Sequence, residues 1–145
     1  MNKKYIPKQL ENRDKFKQKR ELLKSIRLYK KNKYYTRKPL KSFKSKKSKH
    51  LKKVENIYGI KILKINKELI DKTGCSKKIL KKIVNKGMGA YYSSGSRPNQ
   101  TAKSWGMARL ASSITGGPAS KVDFHLLKEC DKTKEAYKLS LNRVL

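Results

Sequence analysis

A chain that carries a formal net charge of +30 over 145 residues can close an apolar core only where its charge relents, because charge of one sign opposes a compact state. It relents once. From Gly87 to Pro118 the sequence reads GMGAYYSSGSRPNQTAKSWGMARLASSITGGP, and its only charges are Arg97, Lys103 and Arg109. We read this stretch as the folded centre and the lysine around it as the means of reaching a partner. The charge is steepest on the N-terminal side: residues 1–53 hold 22 Lys/Arg against 3 acids, whereas residues 123–145 hold 5 against 4.

Such a chain calls for an acidic partner. Nucleic acid is the commonest, since neutralising its phosphates releases condensed counterions. An anionic membrane surface or an acidic protein has the same sign. Lys, Asn and Ile are all abundant, so AT-rich coding accounts for part of the lysine. Two cysteines, Cys75 and Cys130, make no disulfide framework and point to a reducing compartment. With His50 and His125 they form no metal-ligand pattern; no metal, cofactor or small-molecule substrate is expected. The polar first residues are no signal peptide, and no apolar run approaches the roughly 20 residues of a membrane span. An enzyme is not expected either. Acids are too scarce to cluster around a nuclease's metal ions, His125 near Cys130 lacks an orienting third group, and the quiet segment holds neither a phosphate-binding P-loop nor a nucleophile elbow.

Capping residues and periodicity predict a mainly α fold: a small helical domain, with a candidate helix-turn-helix, and a long basic N-terminal arm. The arm is residues 1–53; the domain is residues 54–145 and contains the segment 87–127. In the arm, a helix over 8–31 carries Leu10, Phe16, Leu22, Leu23, Ile26 and Tyr29 as a loose apolar stripe. Residues 30–53 then hold 12 Lys/Arg and no acid, interrupted by Tyr34, Tyr35 and Phe43. Basic residues interleaved with aromatics suit a phosphate backbone and exposed bases. A solvated linker whose aromatics pack back on the domain is an equal alternative. The candidate contacts to nucleic acid or another acidic partner are Lys30, Lys31, Lys33, Arg37, Lys38, Lys41, Lys44, Lys46 and Lys47. Ser42, Ser45 and Ser48 recur in this basic setting, where phosphorylation would cut the charge.

Further on, Ser48 caps a helix with Leu51, Val54, Ile57 and Tyr58 on its apolar side, and Gly59 ends it. Ile60, Ile62 and Ile65 mark a connecting segment. Asn66 caps a helix to Thr73, Gly74 supplies a left-handed stop, and Ser76 caps a second helix with Ile79, Leu80, Ile83 and Val84, ended by Gly87. Two short helices joined by a glycine turn have the layout of a helix-turn-helix, with Leu69, Cys75, Leu80 and Ile83 as its seam. The second helix turns Lys77, Lys78, Lys81, Lys82 and Lys86 outward, and the first four join the candidate contacts. Lysine grips phosphate better than it reads bases, so helix packing with a solvated lysine face outweighs sequence-specific readout.

In the quiet segment, SSGSRPNQT is an ordered loop and Thr101 caps a helix to about Thr115, stopped by Gly116, Gly117 and Pro118. Trp105, Ala108 and Ser112 share one side; Leu110, Ala111 and Ile114 widen the buried face; Gly106, Ala108 and Ala111 permit close approach. Arg97 is a candidate anion site before that helix, or else an arginine pinned by carbonyls or a C-terminal acid to hold the loop. From Val122 onward one more helix is predicted, capped by Asp123, with Phe124, Leu127 and Cys130 or Asp131 at helical spacing and Tyr137, Leu141 and Val144 continuing the stripe.

The segments AYYSSGSRPNQT (Ala90–Thr101), SWGMARLAS (Ser104–Ser112), Gly116–Gly117 and Val122–Asp123 carry a resemblance. Together with the upstream YYTRK, SFKSKKSKH and IYGIKI pieces, they resemble a domain family of unknown function carried by nucleocytoplasmic large DNA viruses, with shorter relatives in bacteriophages. The likeness covers about residues 34–127 and brings no catalytic residues. It departs at Pro118, where a lysine is the expected residue. It implies a virion protein, with the host cytoplasm or nucleus as its place during assembly and capsid proteins or viral DNA as its partners. The expectation is therefore a non-enzymatic, basic minor capsid or core component; a helix-turn-helix regulator is the alternative.

Overall fold

Each helix start in the middle of the chain has a side chain that accepts an otherwise orphaned backbone N–H. In the computed structural model, which describes residues 2–145, Ser48 accepts from His50 N, Asn66 from Leu69 N and Ser76 from Ile79 N. These caps open α2 (Lys49–Tyr58), α3 (Lys67–Thr73) and α4 (Lys77–Ser93). Gly59 and Gly74 end α2 and α3 at φ +68° and +69°, where a side chain would be strained. Before them lie a short 3-10 turn, Lys3–Tyr5, and α1 (Asn12–Tyr29); after them come α5 (Ala102–Ile114), α6 (Pro118–Val122), α7 (Phe124–Leu127) and α8 (Glu135–Val144). No strand occurs among the described residues. The mainly α class is as the sequence predicts.

The chain groups into two compact units, and the boundary is not at residue 53. One unit runs as far as Lys46 and resumes over Met88–Trp105; the other comprises Lys47–Gly87 and Gly106–Leu145. The quiet segment is thus shared between the two instead of forming one centre.

In the first unit the basic stretch is no free arm. Leu10, Leu22 and Leu40 are buried, and so is Arg37. The predicted apolar stripe on α1 is corrected: Phe16 is 81% and Leu23 51% exposed, while the buried face consists of Gln18, Glu21, Leu22 and Ser25. Gln18 donates to the carbonyls of Tyr5 and Ser96, so this polar face is hydrogen-bonded inside. Gly95, at φ +126°, lets the loop after α4 lie on Leu22 and Tyr5, where a Cβ would come within 2.9 Å of Leu22.

In the second unit the expected seam is present: Leu69, Cys75, Leu80 and Ile83 are all fully buried. Gly87 does not stop α4, which continues to Ser93. Its lack of a side chain serves a close approach instead: a Cβ there would meet Gly106 Cα at 2.6 Å. The end of α5, Leu110 through Ile114, is buried all round. Tyr58 donates its hydroxyl to the Ile114 carbonyl at that end, and burial pushes the Tyr58 phenol well above its ordinary pKa. Pro118 opens α6 as well as ending what precedes it.

Two further expectations fail here. Residues 122–145 form no single helix: α7 ends at Leu127, and Asp131 N–H donates to the Gly74 carbonyl before α8 begins. Cys75 and Cys130 are joined in a disulfide that closes a separation of 55 residues, against the reading of two reduced thiols. A bridge over such a loop stabilises the fold by about 4 kcal/mol in the chain-entropy account.

Candidate nucleic-acid interface

Arg37 organises the first unit. Its backbone N–H donates to Tyr91 Oη, and its guanidinium donates to Ser25 Oγ, the Tyr91 carbonyl and Ser96 Oγ at 2.7–2.8 Å. The guanidinium also lies 3.7 Å from the centre of the Tyr91 ring, a favourable cation–π distance. With 6% exposure, Arg37 meets no partner in solution, and its place among the candidate contacts is corrected. Burial lowers its pKa from the usual guanidinium value.

Further hydrogen bonds tie down the basic stretch on either side of Arg37. Lys38 N donates to Glu21, Leu40 N to Asn99 Oδ1 and Ser42 N to Asp14. The Asn99 amide, at φ +62°, also donates to the carbonyls of Leu40 and Phe43. Hydrogen bonds from Ser42 hold the Asp14 carboxyl below its ordinary range. Ser42 and Ser48 are thus engaged in structure, Ser48 as the α2 cap. Between the anchors Lys30, Lys31, Lys33, Lys38, Lys41, Lys44 and Lys46 are exposed. Arg97 is exposed as well, and neither a carbonyl nor an acid pins its side chain among the described residues. The arginine that holds this loop is Arg37.

In the second unit the first two turns of α4 carry Lys77, Lys78, Lys81 and Lys82, all exposed, with Asn85 beside them around a shallow open depression of about 540 Å³. None of the four forms an ion pair among the described residues. Lys47 does, with Glu55 at 3.4 Å, and is less available. Lys86 points elsewhere: it lies 3.0 Å from His125 and 3.9 Å from Asp123.

Asp123 is fully buried and caps nothing with its side chain. It receives Arg109 through Nε and Nη2, at 3.1 and 2.8 Å, and Ser113 Oγ at 2.7 Å. Such a bidentate pair is geometrically specific and charge-assisted. Sequence reading missed it: Arg109 and Asp123 stand 14 residues apart on either side of the Gly116–Gly117 turn, and no local spacing joins them. Among the described residues no group of three or more His, Cys, Asp and Glu side chains could hold a metal ion, and no helix is long and apolar enough to cross a membrane.

A family model matches residues 2–134, from the start of the first unit to the edge of α8. The chain belongs to DUF5824, a family of unknown function. The DUF5824 match takes in the Arg37 site, the lysine face of α4 and the Arg109–Asp123 pair alike. Comparison with curated proteins and with solved structures gave no match.

Proposed function

We propose that this chain is a non-enzymatic, polyanion-binding structural protein of a large DNA virus particle, a minor capsid or core component that engages packaged DNA or acidic capsid surfaces. One observation carries the binding part: the uncompensated lysine face of α4. Lys77–Lys81 and Lys78–Lys82 are like-charge pairs one turn apart, which destabilise a helix. They sit at the N-terminal end, where the helix dipole disfavours cations. The α4 sequence KKILKKIVNKGMGAYYS holds no acid to offset them. An anionic partner relieves both costs. The viral setting rests on the likeness of the Ala90–Asp123 signature to proteins of large DNA viruses.

Filter binding of duplex DNA across a salt series tests the binding. Log affinity should fall steeply and linearly with log salt, and replacing Lys77, Lys78, Lys81 and Lys82 by Gln should shallow the slope by about three to four. Affinity that is flat with salt sinks the proposal. Fractionation of purified particles tests the setting, and a protein absent from them overturns it.

A helix-turn-helix regulator is the second reading. It is favoured by α3 and α4, joined through Gly74–Cys75–Ser76 over a buried seam. Base readout usually takes Arg, Asn or Gln, and this face offers only Asn85 beside its lysines. Competition by unrelated DNA as effective as any selected sequence decides against it.

A further inference from the structure

Helix α1 ends in a left-handed residue, Asn32, at φ +61°. Asn32 N–H returns to the Tyr29 carbonyl and Lys33 N–H to the Leu28 carbonyl, the bonding of a Schellman-type stop. That reversal brings Tyr34 back over the helix end, where Tyr29 waits. Tyr92, from the last turn of α4, completes the group. Tyr29 and Tyr92 are nearly parallel, 10° between planes and 5.9 Å between centres. Tyr34 lies 5.2 Å from Tyr92 and 6.0 Å from Tyr29, tilted by about 50° to both. Behind them the buried Tyr91 stacks edge-on against Tyr92 at 5.1 Å and is itself fixed by Arg37. The cluster is therefore held from the inside.

Packing explains Tyr29, Tyr91 and Tyr92 but not Tyr34, which stays 71% exposed. An aromatic ring propped open to water on a rigid aromatic base offers a π-face to a planar ligand. The surrounding charge says which. Lys30, Lys31 and Lys33 are exposed next to it, and the sequence has no acid between Glu21 and Glu55. A face for a flat, apolar ring within a field that draws phosphate matches a nucleotide whose base is unpaired. Paired bases are stacked inside a duplex and cannot reach it.

We propose that Tyr34, backed by Tyr92 and Tyr29, is a base-stacking site for single-stranded nucleic acid. The inference rests on the polyanion reading above and deepens it: lysine holds the backbone, and Tyr34 takes a base.

The test is fluorescence anisotropy with the full chain, using a labelled oligothymidylate strand and a duplex of equal length, each across a salt series. Tyr34→Ala should weaken single-strand binding about 5- to 100-fold, the range of one lost base–aromatic stack. Its salt slope should not change, and duplex affinity should stay within about twofold. Tyr34→Phe and Tyr34→Trp, which keep the π-face, should bind the strand as the parent does. If Tyr34→Ala leaves strand binding intact, or weakens strand and duplex equally, the stacking site is overturned while the polyanion reading stands. If the parent chain binds neither probe, both fall. Circular dichroism of Tyr34→Ala should match the parent, because the replaced ring is mostly in solvent.

Discussion

Arg37 takes a full charge into the interior without a carboxylate in ion-pair contact among the described residues. What keeps it there is a set of neutral partners: two serine hydroxyls, one carbonyl and one tyrosine ring. Buried polar groups of this kind are nearly neutral when all are satisfied and costly when one partner is removed. Arg37→Met keeps much of the volume but strips the donors from Ser25, Ser96 and the Tyr91 carbonyl. It should lower the unfolding free energy by about 3 kcal/mol, read from urea denaturation. Arg37→Lys should recover only part of this, because one ammonium cannot span the fork. Where the Met variant is still folded, its duplex affinity should equal the parent's. A large drop in affinity with no loss of stability would return Arg37 to the contact surface. Charge patterning did not mark this arginine out from the lysines around it, because it assigns every cation to solvent by default. The available sign lay on α1, where Gln18, Glu21 and Ser25 recur at helical spacing as a polar stripe facing inward.

Helix α4 puts two glycines to opposite uses within one turn. A Cβ on Gly87 would collide with the Gly106 backbone and crowd Arg109 at 3.1 Å, whereas a Cβ on Gly89 meets nothing within 4 Å. Backbone cannot yield as a flexible side-chain end can, so Gly87→Ala should destabilise by about 1–3 kcal/mol. Gly89→Ala should stabilise by up to about 1 kcal/mol, since alanine loses less entropy in a helix. Thermal unfolding of the two variants side by side checks both signs. Equal shifts would mean that propensity alone governs the helix and the close approach counts for nothing. This pair also shows why element boundaries were only partly legible. Ser48, Asn66, Ser76, Gly59 and Gly74 announce helix ends through local chemistry, and the ends lie where those residues place them. At Gly87 the same residue type answers to a neighbour 19 positions away, Gly106, and no local pattern separates the two roles. The stretch after Leu127 was illegible for the same reason, as Cys130 and Asp131 answer to Cys75 and Gly74.

Over the whole molecule the governing quantity is a net charge of +30. Of the candidate contacts, the exposed lysines are where their composition implies, because a long cationic side chain keeps its head in water whatever the backbone does. Which of them face an acid was not legible, and only the structure separates Lys47, paired with Glu55, from the unpaired face of α4. The excess charge should act on stability in a way that can be read from salt alone. At about 0.01 M salt the screening length is roughly 30 Å, long enough for most of the lysines to repel one another; at about 0.15 M it is near 8 Å. The unfolded chain spreads its charge further apart, so repulsion weighs mainly on the folded state. Raising potassium chloride over that range should therefore raise Tm, by about 2–4 °C for each kcal/mol of repulsion removed. Chloride is the right counterion for the experiment, because sulfate strengthens burial by exclusion and would mix two effects. Stoichiometric duplex DNA should raise Tm most at low salt and least at high salt, since its binding weakens as salt rises. The two series should converge as salt increases. A Tm that falls with potassium chloride alone would show that favourable ion pairs outweigh repulsion, and that the folded protein carries no net repulsion for a polyanion to relieve.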